Sequence, residues 1–148
     1  MTWFLLVPVA LAAGTAVSMQ FGVNSQLRGV AGGPVAATSI SFIVGTVALV
    51  ALTLALNAGL LSFGGVANAP WWVWTGGLLG AFYVFASVIL TPRLGAATTV
   101  ALILTGQVLA SIAKDDFGLF RVAAQEATPL RLLGATLIVV GVFFVQRF

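Results

Sequence analysis

Five apolar runs, separated by short breaks rich in glycine, proline and polar residues, account for most of the chain. They extend from about Trp3 to Phe21, from Pro34 to near Leu56, from Pro70 to Thr91, from Gly95 to about Ala113 and from Pro129 to Val145. Each approaches the roughly 20 residues that a helix needs to cross hydrocarbon. The breaks Gly33-Pro34, Asn68-Ala69-Pro70 and Thr128-Pro129 put proline in a first helical turn, where its missing N–H costs nothing. Pro92 is expected to end the third run, with 91–95 as a tight hairpin, and Pro8 to bend the first slightly. The longest connection, Lys114 to Thr128, holds all three acids: Asp115, Asp116 and Glu126. It reads as a solvated cluster, with Lys114 neutralising one acid, or as a short interfacial helix. A first run lying flat in the interface is disfavoured because residues 3–19 carry no charged face. The expected fold class is an all-α membrane protein, one domain of five transmembrane helices.

Composition sharpens this picture. The 148 residues are 61% hydrophobic and 6% charged, whereas soluble domains average about 25% charged. Cysteine and histidine are both absent, so disulfides, Cys/His metal sites and histidine acid–base chemistry are excluded. No catalytic residue, cofactor or metal is expected. The net charge of +3 is spread along the chain, which gives no nucleic-acid patch. No Lys or Arg precedes the first apolar run, so it reads as a retained span rather than a signal peptide.

Counting basic residues by side of the membrane puts Lys114, Arg121 and Arg131 against Arg28, Arg93 and Arg147. Orientation follows a bias in such counts, and none exists here. The tryptophans Trp3, Trp71, Trp72 and Trp74 form an interfacial belt, which fixes depth and not direction. Insertion in both orientations is therefore expected; the alternative is a single, weakly biased topology. Two copies of a five-span unit, paired antiparallel, would build the ten-helix inverted arrangement of many transporters.

The sparse polar positions are the candidates for function. Gln107 lies near the middle of the fourth run, beside Gly106 and followed by Ser111. An amide in hydrocarbon must find a partner or face water, at a cost of several kcal/mol otherwise. Gln107 therefore serves as interhelical glue or lines a wet cavity. Gln20 and Asn24, four apart, share a face at the end of the first span, either as a substrate-binding pair or as the polar end of a packing seam. Ser39 and Ser41 are expected to bond their own backbone. Trp72 and Tyr83 could wall a cavity; the Tyr83 hydroxyl needs a partner, either substrate or Gln107. Gly76 and Gly80 form a GxxxG packing motif. Gly134 and Gly141, seven apart and on one face, suggest helix–helix contact. Asp115 could couple transport to an ion only from the membrane edge.

Several of these segments, taken together, resemble one family. QFGVNSQLR at 20–28, SFIVGT at 41–46, PWWVWTGGLLGAFYV at 70–84, PRLGAA at 92–97, TGQVLAS at 105–111, DDFGLF at 115–120 and RLLGATLIVVGV from Arg131 are similar to the YdcZ-type family of unknown function. That family belongs to the drug/metabolite transporter superfamily, which also contains the small multidrug resistance proteins. The resemblance implies a five-span inner-membrane transporter that pairs antiparallel, and Gly134/Gly141 are similar to the glycine pair that packs the dimer of the small multidrug resistance proteins. Two departures stand out. Asp115-Asp116-Phe117-Gly118 replaces the usual Asp-His-Phe-Gly, and Lys114 stands where an apolar residue is usual, so no role for that histidine carries over. The first span also lacks the membrane carboxylate of the small multidrug resistance proteins, so their proton exchange mechanism does not transfer.

The expected function is transport of a small polar or amphipathic molecule by alternating access in an antiparallel homodimer embedded in the inner-membrane lipid. Its central cavity would be lined by the first, third and fourth spans of both subunits, with Gln20, Asn24, Trp72, Tyr83, Gln107 and Ser111 on its walls. A small channel and a non-transporting subunit of a larger membrane complex are the alternatives.

Overall fold

The computed structural model describes residues 3–56, 68–117 and 126–147. Five α-helices occupy them: α1 (Trp3–Val30), α2 (Pro34–Ala55), α3 (Thr75–Leu94), α4 (Ala96–Asp116) and α5 (Pro129–Arg147), with a 3-10 turn at Trp71–Trp74 leading into α3. All five spans are long and apolar enough to cross a bilayer. At most 17% of the residues in any span's most apolar window are buried within the chain. Phe4, Leu78 and Phe82 stand largely exposed, so the surroundings of this chain must themselves be apolar.

The helix ends follow local chemistry, with three differences from the sequence reading. Helix α1 continues to Val30 instead of stopping near Phe21, so the polar stretch Gln20–Arg28 is helical and not a loop. Pro92 lies inside α3, in its last turn. A proline there removes one backbone hydrogen bond near the frayed end, where the loss is small. The stop comes instead at Gly95, whose φ of 83° belongs to the left-handed region that glycine enters without strain. Between α1 and α2 the turn is made by Gly32 and Gly33, also at positive φ, and Pro34 opens the next helix as expected. Helix α4 runs on through Asp116, so the first two acids are helical. The remainder of the expected interfacial segment, 118–125, lies outside the described residues.

The chain forms two compact units, Met1–Arg93 and Leu94–Phe148. In the first, α1, α2 and α3 meet around Phe21, Ala37, Val84 and Val88, flanked by Leu27, Ala31 and Tyr83. Small residues mark the closest approaches: Ala37, Ser87 and Val88 are fully buried. A Cβ on Gly80 would sit 3.6 Å from Cζ of Phe42, so the second glycine of the GxxxG motif makes room for an aromatic ring of α2. In the second unit α4 packs on α5, burying Ala135 and Val142.

Most hydroxyls in the spans satisfy themselves. Thr15, Thr38, Thr46, Thr53, Thr99, Thr105 and Thr136 each donate to the carbonyl four residues earlier, which removes the cost of a bare hydroxyl in lipid. Ser41 does not follow this pattern.

Candidate functional site

Two polar clusters depart from the apolar background, one in each unit. In the first, Asn24 is 2% exposed and its Oδ1 accepts a short hydrogen bond from the Ser41 hydroxyl across the α1–α2 interface. Ser41 was expected to bond its own helix; the buried amide draws it across instead. Among the described residues the Asn24 Nδ2 has no partner although it is buried. An unmatched donor in such surroundings carries a penalty of about 1–3 kcal/mol. Beside this pair Ser41 lines an open-sided groove of about 230 Å³ with Gln20, Phe42, Gly45, Thr46, Leu49 and Val84. Gln20 faces that groove and is exposed. Thus Gln20 and Asn24 take different environments on one helix face: one lines an opening, the other sits sealed beneath it. Tyr83 stacks at a tilt on Phe21, with ring centroids 5.7 Å apart. It packs against the core of Ala37, Val84 and Val88.

Trp72 lies in the 3-10 turn before α3, and 43% of its surface is exposed. It stands 11 positions before Tyr83, roughly 16 Å along a helical axis. The exposed Trp71, Trp72 and Trp74 sit together at one end of the span, as amphipathic rings do at a headgroup boundary.

The second cluster lies between α4 and α5. Gln107 is 11 residues from the start of α4 at Ala96 and 9 from its end at Asp116, near the middle of the span. Ser111 and Asp115 follow at four-residue intervals, about 6 Å of rise each, so the three share a stripe. On α5, Arg131, Gly134, Ala135 and Ile138 share the facing stripe. Gln107, Val108, Ser111, Ile112 and these four residues enclose an open-sided groove of about 400 Å³, within the usual range for small-molecule sites. Gln107 and Ser111 are exposed within it, and neither side chain is hydrogen-bonded among the described residues. A Cβ on Gly134 or Gly141 would meet nothing within 4 Å. Gly134 opens on the groove; Gly141 lies exposed one heptad further on.

One end of this groove is closed by charge. Arg131 Nη2 donates to Oδ2 of Asp115 at 3.0 Å, and Nη1 reaches the carbonyl of Glu126. Asp116 Oδ1 accepts from the backbone N–H of Ala127. The acids expected as a solvated loop cluster therefore tie α4 to the start of α5, and it is Arg131, not Lys114, that meets an acid. Arg131 entered the sequence reading only as a topology charge. The cue was present: two positions after Pro129 it must lie in the first turn of α5, where an antiparallel neighbour ends.

The model of the family described as "Putative inner membrane exporter, YdcZ" matches residues 5–144 of this chain. The chain belongs to the YdcZ family. It is 32% identical over 143 residues to "Inner membrane protein YdcZ" of Escherichia coli strain K12, covering 93% of this chain and 91% of that protein. No solved structure matches. As a YdcZ protein it is a multi-pass protein of the inner membrane. Among the described residues, no group of His, Cys, Asp and Glu could hold a metal ion.

Proposed function

We propose that this YdcZ protein exports a small polar or amphipathic molecule by alternating access, as an antiparallel homodimer in which the α4–α5 groove forms part of the path. The observation that carries the reading is the stripe of Gln107 at mid-span and Ser111 one turn on, neither hydrogen-bonded among the described residues, opposite the smooth face of Gly134. Polar side chains at that depth face protein, water or cargo, not acyl chains. An exposed mid-membrane amide therefore calls for a second surface to cover it, and a second copy of the same chain supplies one. Three basic residues on either side give the translocon no preference, which supports pairing head to tail. Gly141, exposed with open space above it, suits close approach by a partner helix.

The test is Gln107→Leu in proteoliposomes loaded with a panel of small amphipathic solutes, with dimer content followed by cross-linking. The expected result is loss of flux with the dimer retained. Loss of the dimer would make Gln107 an interhelical tie, and unchanged flux would remove the groove from the path. Saturable flux with competition between solutes separates an exporter from a channel. Terminal reporter fusions should appear on both faces of the membrane; a single location would end the antiparallel arrangement.

A further inference from the structure

The chemistry of the α4–α5 groove narrows what it holds, on the reading that this groove belongs to the transport path. We infer that the groove binds amphipathic anions, with a carboxylate or phosphate received by Arg131 and an apolar body lying on Val108, Ile112 and Ile138. Among the described residues, Arg131 is the only ionised side chain lining the groove; Asp115 touches its guanidinium but is not part of the lining. A guanidinium offers donors in a planar fork and accepts nothing. On the facing α4 stripe, Ser111 and Gln107, one and two turns from Asp115, add a hydroxyl and an amide N–H. The groove thus presents donors at one edge and branched aliphatic side chains beside them. That pattern is complementary to an acceptor-bearing head on an apolar body.

Asp115 gives this site a built-in competitor. Its carboxylate already occupies Nη2 of Arg131 at 3.0 Å, with the arginine 34% and the aspartate 17% exposed. A partly exposed pair of this kind is weak, and carboxylate-for-carboxylate exchange at a guanidinium is close to balanced. An incoming anion displaces Asp115 from Arg131, and its departure restores the pair. The empty groove is thereby closed by an ion pair instead of leaving a bare cation at the edge of the hydrocarbon.

The experiment uses the full-length protein in phosphatidylcholine nanodiscs and three probes with one phenylpropyl body: 3-phenylpropionate, 3-phenylpropanamide and 3-phenylpropylamine. Calorimetric binding should favour the carboxylate. Arg131→Gln should weaken it by at least about tenfold, the factor expected for a hydrogen-bonded charge. Asp115→Asn should strengthen it, because the competitor is gone and the guanidinium remains. Arg131→Lys, which keeps the charge and loses the fork, should fall between. Asp115→Asn also keeps the test decisive if Arg131→Gln fails to elute as a folded species. Preference for the amine, its loss in Asp115→Asn, or no binding by any probe overturns the inference. Repeating the titration with phosphatidylglycerol in the disc identifies the source of the anion. Competition there points to a lipid phosphate, and undiminished carboxylate binding points to a soluble one. If proteoliposomes move the amide and the amine but not the carboxylate, the anion site falls and the exporter stands. If arginine-dependent binding persists while nothing crosses, the exporter falls and the site stands.

Discussion

Replacing Asn24 with leucine should leave the protein as stable as before or stabilise it, although the substitution deletes an interhelical hydrogen bond. Asparagine and leucine have nearly the same branched outline, so the change swaps two polar atoms for two methyl groups at a position only 2% exposed. The lost bond to Ser41 is of a type worth about 0.6 kcal/mol on average and up to about 1.7 between membrane helices. The substitution also removes Nδ2, buried without a partner, whose penalty is about 1–3 kcal/mol. Released from Asn24, the Ser41 hydroxyl can turn to the carbonyl four residues back, as seven threonines in these spans already do. The balance runs from about 2.4 kcal/mol in favour of leucine to about 0.7 against it. Asn24→Ala removes the bond and leaves a cavity as well, and should be clearly worse than leucine. The assay is denaturant unfolding of purified protein in detergent micelles, with helix content followed by circular dichroism. A loss of more than about 1 kcal/mol for Asn24→Leu, beyond the unfavourable end of this range, would refute the reasoning, since it would mean that Nδ2 is matched in the assembled protein. If stability holds and export is lost, the amide is there for cargo and not for the fold.

Gly80→Ala should be tolerated, because a Cβ there makes an ordinary contact with Phe42 at 3.6 Å. Gly80→Leu should cost about 1–3 kcal/mol through overpacking, read as a lower unfolding midpoint. Gly95→Val, at φ 83°, should cost at least about 1–2 kcal/mol from left-handed strain and lower the yield of folded protein in thermal-melt comparisons. Since the strain is local, Gly95→Asn should recover much of the loss.

The five spans were legible because hydrophobic length is a coarse quantity that survives any error of a few residues, and because proline and glycine mark the same ends in sequence and structure. The exceptions have physical causes. Residues 20–28 read as a polar exit from the membrane, yet they are helical to Val30 and the amide of Asn24 is buried against Ser41 of α2. That contact joins residues 17 apart in different helices, a relation that no spacing rule within one helix can disclose. The acids looked like a solvated loop because their neighbour in sequence is Lys114; the partner in space is Arg131, brought back by the turn. Gln107 and Ser111 were found by their chemistry alone, since polar atoms in an apolar run are conspicuous. Their facing residues on α5 were not, because Arg131 and Gly134 had been assigned separate duties in topology and packing. Trp72 and Tyr83 were joined by type, while the helix separates them by about three turns.

The contrast between the two clusters bears on how the YdcZ fold divides its tasks. In the first unit the chain buries polar groups itself: Asn24 and Ser87 are almost fully enclosed, as are the apolar Phe21, Val88 and Ala37. In the α4–α5 hairpin the polar stripe lies open, and what closes the groove at one end is an ion pair between partly exposed groups. A buried, mutually bonded pair specifies a single arrangement of helices, whereas an exchangeable pair at a groove mouth accommodates two. The first unit thus has the character of a fixed frame, and the second holds the groups whose partners can change. A transport cycle needs both, since cargo can only shift an equilibrium between states that it binds differently. Neutralising the exchangeable pair by Asp115→Asn should therefore alter cargo affinity while leaving the α1–α2 contact at Asn24 undisturbed.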